Sequence, residues 1–150
     1  MSQDFQEITV EQLCTVIDLL HPCMDDYLYV YDFINDFYYI SPHARQRFCI
    51  PDNSFRDVIR NHGLFVYPPD LEPLQEDLSA LLAGERSFHN MEYRWLDLEG
   101  QPVWINCRGY VVRNKERALY MVGCINEIGA SQKADNISGL LGSTSLQNYL

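Results

Sequence analysis

The sequence predicts an α+β domain: a five-stranded antiparallel sheet with short helices on one face and an additional N-terminal helix. Three observations predict it. Segments rich in β-branched and aromatic residues come in one run of two and one run of three, so strands segregate from helices. Within each run the joints are short turn signals: Asn35-Asp36, Glu99-Gly100 and Asn114-Lys115-Glu116. Before and between the runs stand two segments with helix start and stop signals.

The first element is a helix over residues 9–21. Thr9 and Gln12 form a Thr-x-x-Gln capping box, and Val10, Leu13, Val16, Ile17 and Leu20 recur at helical spacing. His21-Pro22 ends it, because the residue before proline avoids helical backbone. One apolar stripe on so short a helix has to pack on the domain or on a second copy. Residues 27–34 (YLYVYDFI) read as a strand and 37–40 (FYYI) as its hairpin partner. Ser41-Pro42 starts a short helix, with Ser41 as N-cap and Pro42 at the first position. Residues 51–68 read as irregular chain or short helical turns. Pro68-Pro69-Asp70 leads into a helix over 70–83, closed by Gly84. Strands over 87–97, 102–113 and 118–128 follow as an antiparallel meander. The tail is richer in Gly and Ser, so the chain divides into an N-terminal helix (1–23), a sheet domain (24–129) and a connector (130–150).

Length and composition fit one globular domain of 150 residues with ten Tyr, seven Phe and two Trp to build a core. No run of about 18 apolar residues marks a membrane span, and the polar, acidic MSQDFQEI start lacks signal-peptide chemistry. A cytoplasmic protein is expected. Net charge is −10, and residues 1–44 contain eight acids and no Lys or Arg. That front repels phosphate backbones, which argues against a nucleic-acid partner. The five cysteines (Cys14, Cys23, Cys49, Cys107, Cys124) show no Cys-x-x-Cys pair, and the four His are scattered. Neither a disulfide framework nor a metal centre is expected.

Several segments, in order, resemble a PAS domain over residues 24–129. Val66-Tyr67-Pro68-Pro69-Asp70 resembles the family's "v-H-P-x-D", with Tyr67 where His is usual. Met91-Glu92-Tyr93-Arg94, Glu99-Gly100 and Val103-Trp104-Ile105 resemble "E-Y-R … D-G … W-I". Gly123-Cys124-Ile125-Asn126-Glu127-Ile128-Gly129 resembles "G-x-x-x-D-I-T", with Glu127 and Gly129 departing from it. Asp135-Asn136-Ile137-Ser138-Gly139-Leu140 is similar to the "D-x-L-T-G-L" that opens GGDEF (diguanylate cyclase) domains, although Leu141-Gly142-Ser143 does not continue that pattern. The resemblance implies a sensory input module with a covalently linked C-terminal effector in cyclic-di-GMP signalling. Its output would run through Glu127, Ile128 and Gly129. An ordinary linker is the other reading of the tail.

Period-two alternation sorts the late strands. Glu92, Arg94, Trp104, Asn106, Arg108, Cys124 and Asn126 fall on the outer face. Tyr93, Trp95, Ile105, Cys107, Gly109, Gly123 and Ile125 fall on the inner face and are the pocket candidates. Where flavin-binding relatives carry amide side chains, this chain carries Trp95, Ile105 and Ile125, and their reactive-cysteine motif is missing. No flavin is expected, and among the histidines only His89 shares parity with the inner face as a haem-ligand candidate. The inner space is either filled by side chains or holds a small apolar or aromatic ligand.

Three function classes follow: a sensory or dimerisation module, a small isomerase- or dehydratase-like enzyme on a curved sheet, and a ligand-free adaptor. The enzyme needs a buried acid–base pair, and the inner list offers none unless His89 counts. No catalytic residue is expected. Two packing expectations complete the reading. The N-terminal helix covers Trp104 on the outer face through Leu13, Val16, Ile17 or Leu20. A homodimer is expected, with the first strand or the N-terminal helix at its interface; the row Tyr27, Tyr29, Tyr31 and Phe33 lies there or packs under that helix.

Overall fold

The computed structural model describes residues 8–129. Its strands are β1 (Tyr27–Asp32), β2 (Phe37–Ile40), β3 (Ser54–Arg56), β4 (Phe88–Leu96), β5 (Pro102–Asn114) and β6 (Arg117–Glu127). They form one antiparallel sheet in the order β3-β2-β1-β6-β5-β4. The helices are α1 (Val10–Leu20), α2 (Val58–Phe65) and α3 (Leu71–Leu82), with 3₁₀ turns at His21–Cys23, Pro42–Gln46 and Pro68–Asp70. The α+β architecture is the one expected, with a sixth strand added. β3 is a three-residue edge strand paired to β2, too short to display an alternating pattern. It and α2 both arise within the stretch expected to be irregular chain or short helical turns, the helix running to eight residues.

Local chemistry explains the element ends. The Thr9 hydroxyl accepts from the Gln12 amide at 3.0 Å, and the Gln12 side chain accepts from the Thr9 amide at 2.9 Å, so the capping box forms. Ser41 precedes its 3₁₀ turn as expected, but its hydroxyl does not cap it. It accepts from the Leu28 amide at 2.8 Å and donates to the Leu28 carbonyl, tying the turn to β1. At the C-terminal end of α3 the cap is Ala83, and Gly84 follows with a left-handed φ of 90°.

The main core lies between the sheet and α2, α3 and the 3₁₀ turns. Phe48, Phe65 and Trp95 meet edge to face there, with ring centroids 5.2 and 5.0 Å apart. A second, smaller core lies on the opposite face of the sheet. There Ile17 of α1 packs on Val30, Val112 and Tyr120.

That second core overturns both packing expectations. α1 covers β1, β6 and the end of β5, not Trp104. The Trp104 ring lies 4.5 Å from the Arg94 guanidinium, whose other ring contact is Tyr67 at 4.4 Å. Arg94 is also held by both carboxylate oxygens of Asp70, at 2.9 and 2.8 Å. Tyr67, standing where the family has His, is therefore one wall of an arginine sandwich. The aromatic row is buried too. Tyr27, Tyr29 and Tyr31 point into the main core and Phe33 packs beside it, so the row lies neither under α1 nor at a subunit surface. The reason is parity: α1 sits over Val30, which leaves the odd-numbered residues of β1 to the opposite face.

Among the described residues no helix is long and apolar enough to cross a membrane.

Candidate functional site

The seven inner-face residues are where alternation placed them. Tyr93, Trp95, Ile105, Cys107 and Ile125 are buried against the helices. Gly109 and Gly123 face each other across β5 and β6, and Gly123 is also paired with Tyr29 of β1. The missing side chains form a shallow slot, and Tyr29 fills it. A Cβ on Gly109 would lie 2.3 Å from the Tyr29 hydroxyl. That hydroxyl donates to the Arg108 carbonyl at 3.3 Å and accepts from the Cys107 thiol at 3.3 Å.

What remains of the inner space is a cavity of about 20 Å³. That is room for a water-sized occupant. Four tyrosines (Tyr29, Tyr31, Tyr38, Tyr93), two histidines (His62, His89) and Cys107 contribute to its wall, with Leu74, Leu78 and Met121 between them. The wall is therefore more polar than the inner-face list implied. Of these polar groups only Tyr93 and Cys107 were on it; Tyr29 and Tyr31 come from β1, His89 from β4, Tyr38 from β2 and His62 from α2. Tyr38 stacks on Tyr29 at 5.7 Å from the short strand β2. His62 arrives from α2, in a segment with no readable pattern.

Burial governs the electrostatics. It holds Tyr29, Tyr38 and Tyr93 well above the ordinary phenol range and pushes Cys107 up to about 12. All four groups are neutral at physiological pH. Burial also lowers His62 to about 4, with His89 nearby as a lesser cause. The His62 Nδ1 has no hydrogen-bond partner among the described residues. His89 is 1% exposed, and its Nδ1 lies 2.6 Å from Asp77 Oδ2 on α3. Desolvation lowers its pKa and Asp77 opposes the shift. Asp77 is shared with Arg86 at 2.5 Å.

His89 thus does lie on the inner face, as parity allowed, and the structure supplies the buried His–carboxylate pair that the sequence left open. The pair does not face a substrate-sized space. The Nδ1 side of His89 is taken by Asp77, and the adjoining cavity is water-sized. Among the described residues no group of three or more His, Cys, Asp or Glu is arranged to hold a metal ion.

Glu127, Ile128 and Gly129, which the sequence reading expects to carry the output, stand at and just beyond the end of β6. The Glu127 carboxylate accepts from Arg47 Nε at 2.8 Å and from Arg47 Nη2 at 3.1 Å. Arg47 follows the 3₁₀ turn at Pro42–Gln46 and also lies 3.9 Å from Asp97 at the end of β4. The Ile128 amide donates to the Trp104 carbonyl at 3.0 Å, extending the β5–β6 ladder by one bond. Close by, His43 lies 4.6 Å from the Tyr27 ring and 5.6 Å from His21, which directly follows α1. The Asp135–Leu140 motif and the connector from residue 130 lie outside the described residues.

The domain is thus an antiparallel six-stranded sheet with a small polar and aromatic cavity beneath α2 and α3 and one helix on its far side. A family profile for the PAS fold matches residues 37–126, and the chain belongs to that family. Among solved structures, a sensory box histidine kinase/response regulator from Burkholderia thailandensis is similar with a TM-score of 0.61. It is 20% identical over 87% of this chain and 96% of that one. The N-terminal domain of a diguanylate cyclase with PAS/PAC sensor from Marinobacter aquaeolei gives 0.57 at 17% identity, covering 70% of this chain and 96% of that one. A light-oxygen-voltage domain studied with a flavin analogue gives 0.50 at 12% identity, covering 90% and 93%. At these identities the likeness shows the fold. No curated protein matches the chain.

Proposed function

We propose that this PAS domain is a non-catalytic, cytoplasmic sensory and protein-interaction module that works as a homodimer and regulates a C-terminal effector through its last strand. The effector we assign is a GGDEF-type cyclase, supported by the motif at Asp135–Leu140 and by the Marinobacter neighbour, which is described as part of a diguanylate cyclase. The observation that carries the reading is the Arg47–Glu127 clamp. It joins the last residue of β6 to a turn packed on the main core, so a rearrangement in the core reaches the exit of the domain. Joined through residues 130–150 to a diguanylate cyclase domain, the chain should set the cyclase rate. Glu127→Ala should change that rate by about fivefold or more, the usual size of a coupling between sites. Equal rates for the two chimeras would remove Glu127 from the output path.

For the input, the filled glycine slot and the water-sized cavity favour a core packed by its own side chains over a bound flavin or haem. Purified protein should show no flavin or Soret band, and a native mass should be a whole multiple of the polypeptide mass with nothing added. A small aromatic ligand in the mass spectrum would show instead that the Tyr29 slot opens, with Tyr93, Trp95, Ile105, Cys107, Gly109, Gly123 and Ile125 as its wall. A retained absence of ligand fits a second reading, a dimerisation adaptor that senses through its partners.

A further inference from the structure

α2 is a weakly held element that carries a buried base. It sends Val58, His62 and Phe65 inward, while Ile59 and Leu64 face solvent at 45% and 56% exposure. Asn61 and Gly63 lower its helix propensity. Its N-terminal end is held from another element: the Asp36 carboxylate, in the β1–β2 turn, accepts from the Asp57 and Val58 amides at 3.1 and 3.2 Å. A short helix with few inward side chains opens at a smaller free-energy cost than the sheet beneath it.

His62, the middle inward residue of α2, meets no counter-charge. Around the cavity it faces Tyr29 and Tyr31 of β1, Tyr38 of β2, Tyr93 of β4 and Cys107 of β5, all kept neutral by burial. The other base on that wall is His89 of β4. α3 brings up Asp77, but both of its oxygens are taken, one by His89 Nδ1 at 2.6 Å and the other by Arg86 at 2.5 Å. Behind Tyr93, Asp70 is bound to Arg94. On α2 itself, Arg60 lies on the exposed side with Asp57. A proton on His89 therefore has a carboxylate beside it. A proton on His62 has neutral hydroxyls, a neutral thiol and the repulsion of His89. Its Nδ1 is already without a partner among the described residues. The charged ring is satisfied by water, and it reaches water when α2 lifts.

We propose that this domain senses acid, protonation of His62 releasing α2 from the sheet. Closed, α2 keeps His62 neutral over a water-sized cavity. Open, His62 is hydrated and charged, and the cavity is uncovered. Falling pH therefore shifts the population toward the open form. A line of contacts leads from α2 to the exit of the domain. Phe65 packs edge to face on Trp95 at 5.0 Å, Trp95 on Phe48 at 5.2 Å, and Phe48 directly follows Arg47, which clamps Glu127. Lifting α2 withdraws Phe65 from that line. The proposal rests on the sensory reading above and names its input.

The test is amide hydrogen exchange of the whole chain at pH 7.5 and pH 5, corrected for intrinsic rates. A ring held at about 4 when α2 is closed and at 6.5 when it is open raises the opening constant about thirtyfold between those two pH values. The α2 amides should show that rise while the β5 and β6 amides stay protected, and His62→Leu should remove most of it. Equal opening constants at the two pH values in wild type, a measurement that needs no variant, defeat the switch. So does a rise that survives His62→Leu, or exchange of α2 and the sheet together as one unit. For the output, the cyclase chimera and its His62→Leu form are compared at both pH values. The ratio of their rates should change by about fivefold or more. A constant ratio overturns acid as the input, while the sensory reading stands or falls separately with Glu127→Ala.

Discussion

Gly123→Ala should destabilise the domain by about 4 kcal/mol, enough to abolish most of the stability of a domain this size. A Cβ there would lie 1.8 Å from the Arg108 carbonyl oxygen and 2.6 Å from the Gly109 Cα. Both obstacles are backbone of the neighbouring strand, which cannot yield without breaking the β5–β6 ladder. Gly109→Ala should cost less, about 2 kcal/mol, because its nearest obstacles are side-chain atoms of Tyr29 and Met121. The pair separates two causes. Tyr29→Phe removes the atom closest to the new methyl group and should recover part of the loss in Gly109→Ala, while leaving Gly123→Ala as damaged as before. Urea unfolding of the five proteins measures this. A Gly123→Ala protein as stable as wild type would mean that β5 and β6 do not approach as described, and the Tyr29 slot would lose its basis.

Acid should weaken the fold through His62. The imidazole is buried and held at about 4, against an ordinary value of 6.5 in the unfolded chain. Folding therefore favours the neutral ring. That contribution is fully present above pH 6.5 and is lost as pH falls from 6.5 toward 4, where the unfolded chain binds the proton more readily. The pKa difference corresponds to about 3 kcal/mol. His89, also lowered by burial, adds in the same direction, and its bond to Asp77 limits its share. Carboxylates titrate at the lower end of the same range, so the useful quantity is a difference between proteins. His62→Leu keeps an apolar side chain in the space and removes the titrating group. Wild type minus variant should lose about 3 kcal/mol between pH 7.5 and pH 4, read from urea midpoints. Parallel pH profiles for the two proteins would show that His62 is hydrated rather than enclosed.

Much of the site could be read along the strands. Tyr93, Trp95, Ile105, Cys107 and Ile125 are buried on one face because successive residues of a strand alternate, and that rule needs no knowledge of the rest of the chain. The capping box at Thr9 was legible for a similar reason, since both of its hydrogen bonds span three residues. His62 was not legible. It stands in VIRNHGLF, where Asn61 and Gly63 weaken the helical signal, and it acquires its role only when α2 is laid over β4 and α3. Tyr38 was missed as a wall residue because β2 has four residues and alternation alone does not say which parity faces the core.

The sequence by itself determined the order of the elements apart from β3 and α2, the two parities of each late strand and the helices that carry their own stop signals. All of these are set by contacts between residues close along the chain. The tertiary structure decided which face of the sheet each helix covers. β1 lies in the middle of the sheet because it pairs with β6, about ninety residues later, through the register Tyr29↔Gly123. That pairing aims Tyr27, Tyr29 and Tyr31 into the main core and gives Val30 to α1. It closes the glycine slot with a tyrosine from the far end of the chain, and it leaves the outer face of β4 beyond the reach of α1. A local pattern can mark a residue as apolar or alternating, but the surface that buries it comes from a distant segment. The free energy that selects this partner is the burial of both surfaces together, which neither segment carries alone.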